Sequence, residues 1–165
     1  MSARLIGVGV GPGDPELLTL KAARSLAEAD VVAHFAKAGH ASNARRIVAQ
    51  HLRPGIEELP LLYPVTTEMP TSAGVYRESI RDFYDGSAAA VASHLDRGRT
   101  VAVLSEGDPL FYGSYMHLHV RLAPRYRVEV VPGVTAMLAV AARVGAPASD
   151  QQPDIAVTPG TTSTR

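Results

Sequence analysis

The sequence predicts an α/β domain: a mostly parallel sheet flanked by helices. Two observations carry that class. Short apolar, β-branched runs alternate with longer stretches of helical spacing, and three of those runs end in a glycine- or proline-containing loop that leads into a helix. Leu5 to Val10 is the first apolar run and reads as a buried parallel strand ending in glycines. Asp14 is a good N-cap and Pro15 suits the first helical position, so one helix is expected from there to Ala29. Val31–Ala33 is a short second strand, and Ser42 to His51 is helical, stopping before Arg53-Pro54-Gly55. Ile56 to Pro64 is extended.

Val75 to Leu95 reads as a long helix with Tyr76, Ile80, Phe83, Tyr84, Ala88, Val91 and Leu95 inward, and with Gly98 at its end. Gly86 weakens that helix by about 1 kcal/mol relative to alanine, enough for a break there. Thr100 to Leu104 is the clearest strand. Tyr112 to Leu122 is helical, Arg127 to Val131 is a strand, and an alanine-rich helix after Thr135 ends near Val144. Ile155–Val157 would open another strand within a tail, residues 146–165, that reads as a linker after a domain spanning 1–145.

With 165 residues, the chain fits one domain of a size that buries about 70% of its unfolded surface. Apolar residues make up 46% and charged residues 19%, which supports a packed core. Sixteen basic residues balance sixteen acidic ones, so nothing points to a nucleic-acid or membrane-surface partner. Without cysteine there is no disulfide, thiolate metal site or cysteine nucleophile. No signal peptide and no apolar run of membrane-spanning length is present, and the cytoplasm is the expected compartment.

Three loops at strand ends would build a small-ligand site, since open α/β sheets bind ligands there. The first, Gly7-Val8-Gly9-Val10-Gly11-Pro12-Gly13-Asp14, fails the dinucleotide fingerprint: counted from Gly7 or Gly9, the sixth position is Pro12 or Asp14. Asp30 precedes the second strand, where the ribose-binding acid of that motif would follow it. A carboxylate at the helix entry disfavours a phosphate and suits a neutral or cationic ligand. The second loop, Glu106 to Gly113, pairs Glu106 with Asp108, and Asp108-Pro109 repeats the cap-then-proline arrangement. The third, Val131 to Ala136, offers backbone amides and the Thr135 hydroxyl. His34 follows the second strand within reach of the cleft, but a structural or surface role is expected for it as for His117 and His119, which, two apart on a helix, point apart and make no metal pair. No metal site is expected.

In this order, GVGVGPGDPELLTLKA (Gly7–Ala22), SEGDPLFYGS (Ser105–Ser114) and VVPGVTAM (Val130–Met137) resemble the S-adenosylmethionine-dependent tetrapyrrole methyltransferases. The acidic EGDPLFYGS form is most similar to the precorrin-2 C20-methyltransferase branch. Three further stretches agree with it: Leu52–Glu68, Asp82–Leu104 and Tyr115–Leu122. Where the uroporphyrinogen branch places an aspartate after the second strand, this chain has Phe35.

The resemblance implies two α/β domains with the methyl donor in the cleft between them, the motifs here belonging to the first. Thr158–Thr161 would open the second. It implies S-adenosyl-L-methionine as cofactor, bordered by Pro12, by Glu106, Gly107, Asp108 and Phe111, and by Thr135 and Ala136. It further implies methyl transfer to C20 of the tetrapyrrole precorrin-2 in cobalamin biosynthesis, and a homodimer. No general base is assigned, because the tetrapyrrole carbon is itself the nucleophile; arginines, fourteen in this chain, are expected to meet the substrate's carboxylates. The alternatives are a relative acting on another tetrapyrrole, RNA or protein, and a catalytically incomplete domain.

Overall fold

The structure, a computed structural model, describes residues 3–64 and 74–147, with backbone alone for residues 74–76. Five strands, β1 (Leu5–Gly9), β2 (Val31–Lys37), β3 (Glu57–Tyr63), β4 (Val101–Ser105) and β5 (Val128–Val131), form one sheet in the order β3-β2-β4-β1-β5. Every pairing is parallel, so the expected architecture holds.

Alternation along the strands builds two cores, one on each face. Leu5, Val31, Val101 and Val103 face α3 (Gly74–Leu95) and α4 (Tyr115–Leu122). Ile6, Val8, Val32, Ala102 and Leu104 face α1 (Leu20–Glu28) and α2 (Asn43–Ile47). Strands buried on both sides read as continuous apolar runs, which is why β1 and β4 stand out in the sequence.

Several boundaries differ from expectation, each for a local reason. The single helix expected after Asp14 is two pieces. Asp14 caps only a 3₁₀ turn, Pro15–Leu17, accepting the Glu16 amide at 2.9 Å. Leu18 is extended, and Thr19 then caps α1 through the Ala22 amide at 3.1 Å. Strand β2 runs four residues past Ala33 because β3 pairs with its whole length, Val31↔Glu57 to Lys37↔Tyr63. Pro60 is tolerated in β3 because that strand is the sheet edge. The Ser42–His51 helix is α2, capped by Ser42, followed by a separate 3₁₀ turn at Ala49–His51. Helix α3 passes through Gly86 unbroken. Helix α4 starts at Tyr115, not Tyr112, whose φ of 52° lies outside the helical region. The strand expected at Ile155–Val157, most of the 146–165 linker and the Tyr76 side chain lie outside the described residues.

The final helix, α5 (Ala136–Val144), ends on Gly145 at φ 69° and buries no residue. Leu138, Val140 and Val144 are all more than half exposed.

Gly7 sits on the α3/α4 face of β1, and the fully buried Tyr115 ring occupies the space above it. A Cβ there would lie 2.3 Å from Tyr115 Cζ. Gly7→Ala is expected to cost about 2 kcal/mol by overpacking, read as a lower urea midpoint. Gly7→Ala combined with Tyr115→Leu should recover part of the gap between Gly7→Ala and wild type.

Candidate functional site

The loops after β1, β4 and β5 meet at the carboxyl ends of the three strands on the β1 side of the sheet. Gly7 and Gly9 belong to β1 itself, so the first loop begins only at Val10. Its backbone is tied to the second loop by a reciprocal pair: the Gly107 amide donates to the Gly11 carbonyl at 2.8 Å, and the Gly11 amide to the Gly107 carbonyl at 3.3 Å. The second loop is tied to the third by Asp108, whose Oδ2 accepts the Gly133 amide at 3.0 Å. The glycines make this junction possible. A Cβ on Gly133 would lie 2.1 Å from the Gly107 oxygen and 2.9 Å from Gly9 Cα, so three backbones touch where no side chain fits.

Around the junction lies a cavity of about 190 Å³. All seven residues that the resemblance pointed to meet in it: Pro12 from the first loop, Glu106, Gly107, Asp108 and Phe111 from the second, Thr135 and Ala136 from the third. Met137 completes the lining. Thr135 Oγ1 is buried and without a hydrogen-bond partner among the described residues. Such a group costs on the order of 1–3 kcal/mol unless something satisfies it.

The two carboxylates differ in their freedom. Asp108 Oδ1 accepts the Leu110 amide at 2.9 Å while Oδ2 holds Gly133, so Asp108 is a strut between loops. It caps a turn and not a helix, since none begins at Pro109. Glu106 is exposed at the cavity and is the carboxylate available to a ligand. Asp14, which the sequence placed beside the ligand, is exposed and outside the lining.

A second, larger cavity of about 590 Å³ adjoins the first and shares Glu106 and Phe111 with it. It opens over the ends of β2, β3 and β4, between Phe35 and Lys37 on one strand, Tyr63 on the next and Ser105 on the third. Ser114 precedes α4 at the N-cap position but makes no side-chain capping bond. Its hydroxyl is turned instead to the tyrosines, accepting from Tyr84 at 3.0 Å and bonding the Tyr63 hydroxyl. Phe35 stacks on Tyr63 with centroids 5.7 Å apart, and Phe83 and Tyr84 extend the cluster. Burial pushes the Tyr63 hydroxyl well above its ordinary pKa, so it stays protonated. Sequence reasoning missed Tyr63 and Ser114; only the β3 pairing and the absent cap reveal them.

His34, His117 and His119 stand apart from both cavities. His34 lies within β2 on the α2 face, not in the cleft, with Nε2 3.4 Å from Glu58 and Nδ1 without a partner among the described residues. Glu58 in turn takes a two-point contact from Arg45, at 2.7 and 2.8 Å. His117 stacks on Tyr84 at 4.1 Å, and His119 Nδ1 meets the Tyr115 hydroxyl at 3.3 Å. Asp30 is structural: its Oδ2 accepts the Thr100 amide at 2.8 Å.

Burial lowers the His34 pKa, outweighing the Glu58 carboxylate that raises it, and Arg45 lowers it further. The unfolded imidazole protonates near pH 6.5, the folded one only at lower pH. Stability is therefore full above about pH 6.5 and falls as pH drops below it. His117 is lowered too, by burial first and then by Arg121. His34→Gln is expected to flatten part of this loss in urea midpoints measured from roughly pH 7.5 to 5.5.

The fold and site define an α/β small-ligand domain with two adjoining cavities at the carboxyl ends of a parallel sheet. The family profile for Tetrapyrrole (Corrin/Porphyrin) Methylases matches residues 4–165. The chain belongs to that family. It is 61% identical over 158 residues to a precorrin-2 C(20)-methyltransferase of Sinorhizobium sp, covering 96% of this chain and 64% of that protein. Among solved structures, a cobalt precorrin-4 methyltransferase of cobalamin biosynthesis superposes with a TM-score of 0.62 at 30% identity, over 87% of this chain and 51% of that one. A uroporphyrin-III C-methyltransferase of Thermus thermophilus, complexed with S-adenosylhomocysteine, gives 0.56 at 32% identity, over 84% and 48%.

Proposed function

We propose that this chain takes part in S-adenosyl-L-methionine-dependent methyl transfer to C20 of precorrin-2, in corrin-ring biosynthesis. The observation that carries this reading is the small cavity, which gathers the seven motif residues around an unpartnered buried hydroxyl. The 61% identity to a precorrin-2 C(20)-methyltransferase supports the substrate.

The lining fits the cofactor. Thr135 Oγ1 lacks a partner, and a ligand's polar group supplies one. Glu106 places an available negative charge at the junction of the cavities, where it attracts a cationic sulfonium. When bound, S-adenosylmethionine supplies an electrophilic methyl group. Phe111, shared by both cavities, packs at the border between donor and acceptor. The protein's contribution is alignment across that border and exclusion of water, with no side chain needed as a base. The reading also assigns residues 1–145 to the first domain and the exposed apolar face of α5 to contact with a second.

Thr135→Val keeps the shape and removes the hydroxyl. We expect S-adenosylhomocysteine affinity to fall about fivefold, as befits one neutral hydrogen bond, while the unliganded protein gains stability because the unpaired buried hydroxyl is gone. The reading itself is tested by incubating the protein with methyl-labelled S-adenosylmethionine and precorrin-2. One labelled methyl at C20 is expected; label at another ring position, or in an added RNA instead, overturns it.

A further inference from the structure

The larger cavity has a chemical polarity that sequence reasoning did not anticipate. Arginines were expected to meet the substrate's carboxylates, yet none lines this cavity among the described residues. Arg45, Arg99 and Arg121 are instead paired with Glu58, Glu57 and Asp85. The side chains of the lining that can carry a positive charge are Lys37 and His40; Asn43 adds a neutral amide.

Both stand on one turn at the end of β2. The His40 amide donates to the Lys37 carbonyl at 3.0 Å, and Gly39 takes φ +77°. A left-handed third residue is what a type II turn requires, and such a turn brings its first and fourth residues within about 7 Å. Neither side chain has a hydrogen bond or ion pair among the described residues. An ammonium with three donors and an imidazole with at least one thus line the cavity from one turn, without a partner among the described residues. Phe35, two residues before Lys37 on β2, and Tyr63, the register partner of Lys37 on β3, stack beside the turn, whereas Glu106 and Phe111 lie where the cavity adjoins the small one.

Resting on the function proposed above, we propose that the Lys37–His40 turn is the carboxylate clamp of the larger cavity. It orients a polycarboxylate tetrapyrrole, holding side-chain acids at this end while Glu106 repels them from the other. The ring carbon is thereby left toward the small cavity. The clamp acts by charge-assisted hydrogen bonds, which are about twice as strong as neutral ones.

The test uses the full chain, with uroporphyrin as a stable octacarboxylate probe and S-adenosylhomocysteine as the control ligand. Uroporphyrin is expected to bind with an affinity that falls as salt rises. Lys37→Gln should weaken it about tenfold, and Lys37→Gln with His40→Gln further. S-adenosylhomocysteine affinity should stay unchanged in these exposed-turn variants, and Arg127→Gln, outside the cavity, should change neither. Uroporphyrin binding that is equal in wild type and the double variant overturns the clamp and leaves the methyltransferase reading standing. Wild-type protein that binds S-adenosylhomocysteine but no uroporphyrin overturns the tetrapyrrole reading, and the clamp with it.

Discussion

Gly133→Ala is expected to destabilise the protein by about 3 kcal/mol and to abolish S-adenosylhomocysteine binding. The added Cβ would stand 2.1 Å from the Gly107 carbonyl oxygen and 2.9 Å from two backbone carbons of Gly9. All three contacts are backbone, and Gly9 is the last residue of a fully buried strand. No flexible side chain can move aside, so the third loop must lift away from the other two. The effect is one of space and not of conformation, because Gly133 has no positive φ. Gly107 provides the contrast. It sits at φ +64° with no atom closer than 3.7 Å to its added Cβ, so Gly107→Ala should cost only about 1–2 kcal/mol of left-handed backbone strain. Urea denaturation of both variants beside calorimetric titration checks the order.

Asp108→Ala is the second large effect. The carboxylate satisfies the Gly133 amide at 3.0 Å and the Leu110 amide at 2.9 Å. Deleting it leaves two N–H groups without acceptors. The Leu110 contact is exposed and water can replace it, so the loss is expected near 2 kcal/mol, set mainly by Gly133. Asp108→Asn should fall between, because its amide keeps one oxygen but turns an NH₂ toward a donor. Stability and ligand affinity are expected to fall together, since Asp108 shapes the cavity by joining two loops. A variant with full stability and lost affinity would show instead that Asp108 acts on the ligand by its charge.

Much of this was legible in the sequence, and the reasons are physical. Strands β1 and β4 were readable because both their faces are buried, which leaves unbroken apolar runs. The three loops were readable because backbone crowding at Gly9 and Gly133 and a left-handed φ at Gly11 and Gly107 favour glycine, and glycines are visible in a sequence. Partnerships decided at long range were less legible. Strand β2 reads as three residues alone and becomes seven because β3 pairs along it. The break at Leu18 depends on Thr19 capping a new helix, in competition with a continuous helix from Pro15. Tyr112 looks helical by composition, yet its φ of 52° delays α4 to Tyr115.

Chemistry followed the same division. The seven motif residues converge on one cavity because each follows its strand directly. Asp108 and Glu106 look equivalent as letters. Only the amides around Asp108 show that it is a structural tie and Glu106 the available charge. The larger cavity was invisible because its walls come from three strand ends that lie apart in sequence, and because Ser114 forgoes the capping role its position invites.

The proposed methyl-donor site is the junction of the three glycine loops. Calorimetric titration of wild type and Gly133→Ala with S-adenosylhomocysteine tests it most directly. Wild type should bind at one site in the micromolar range, and Gly133→Ala should give no heat of binding. Undiminished binding by Gly133→Ala, or none by the wild type, would contradict the claim.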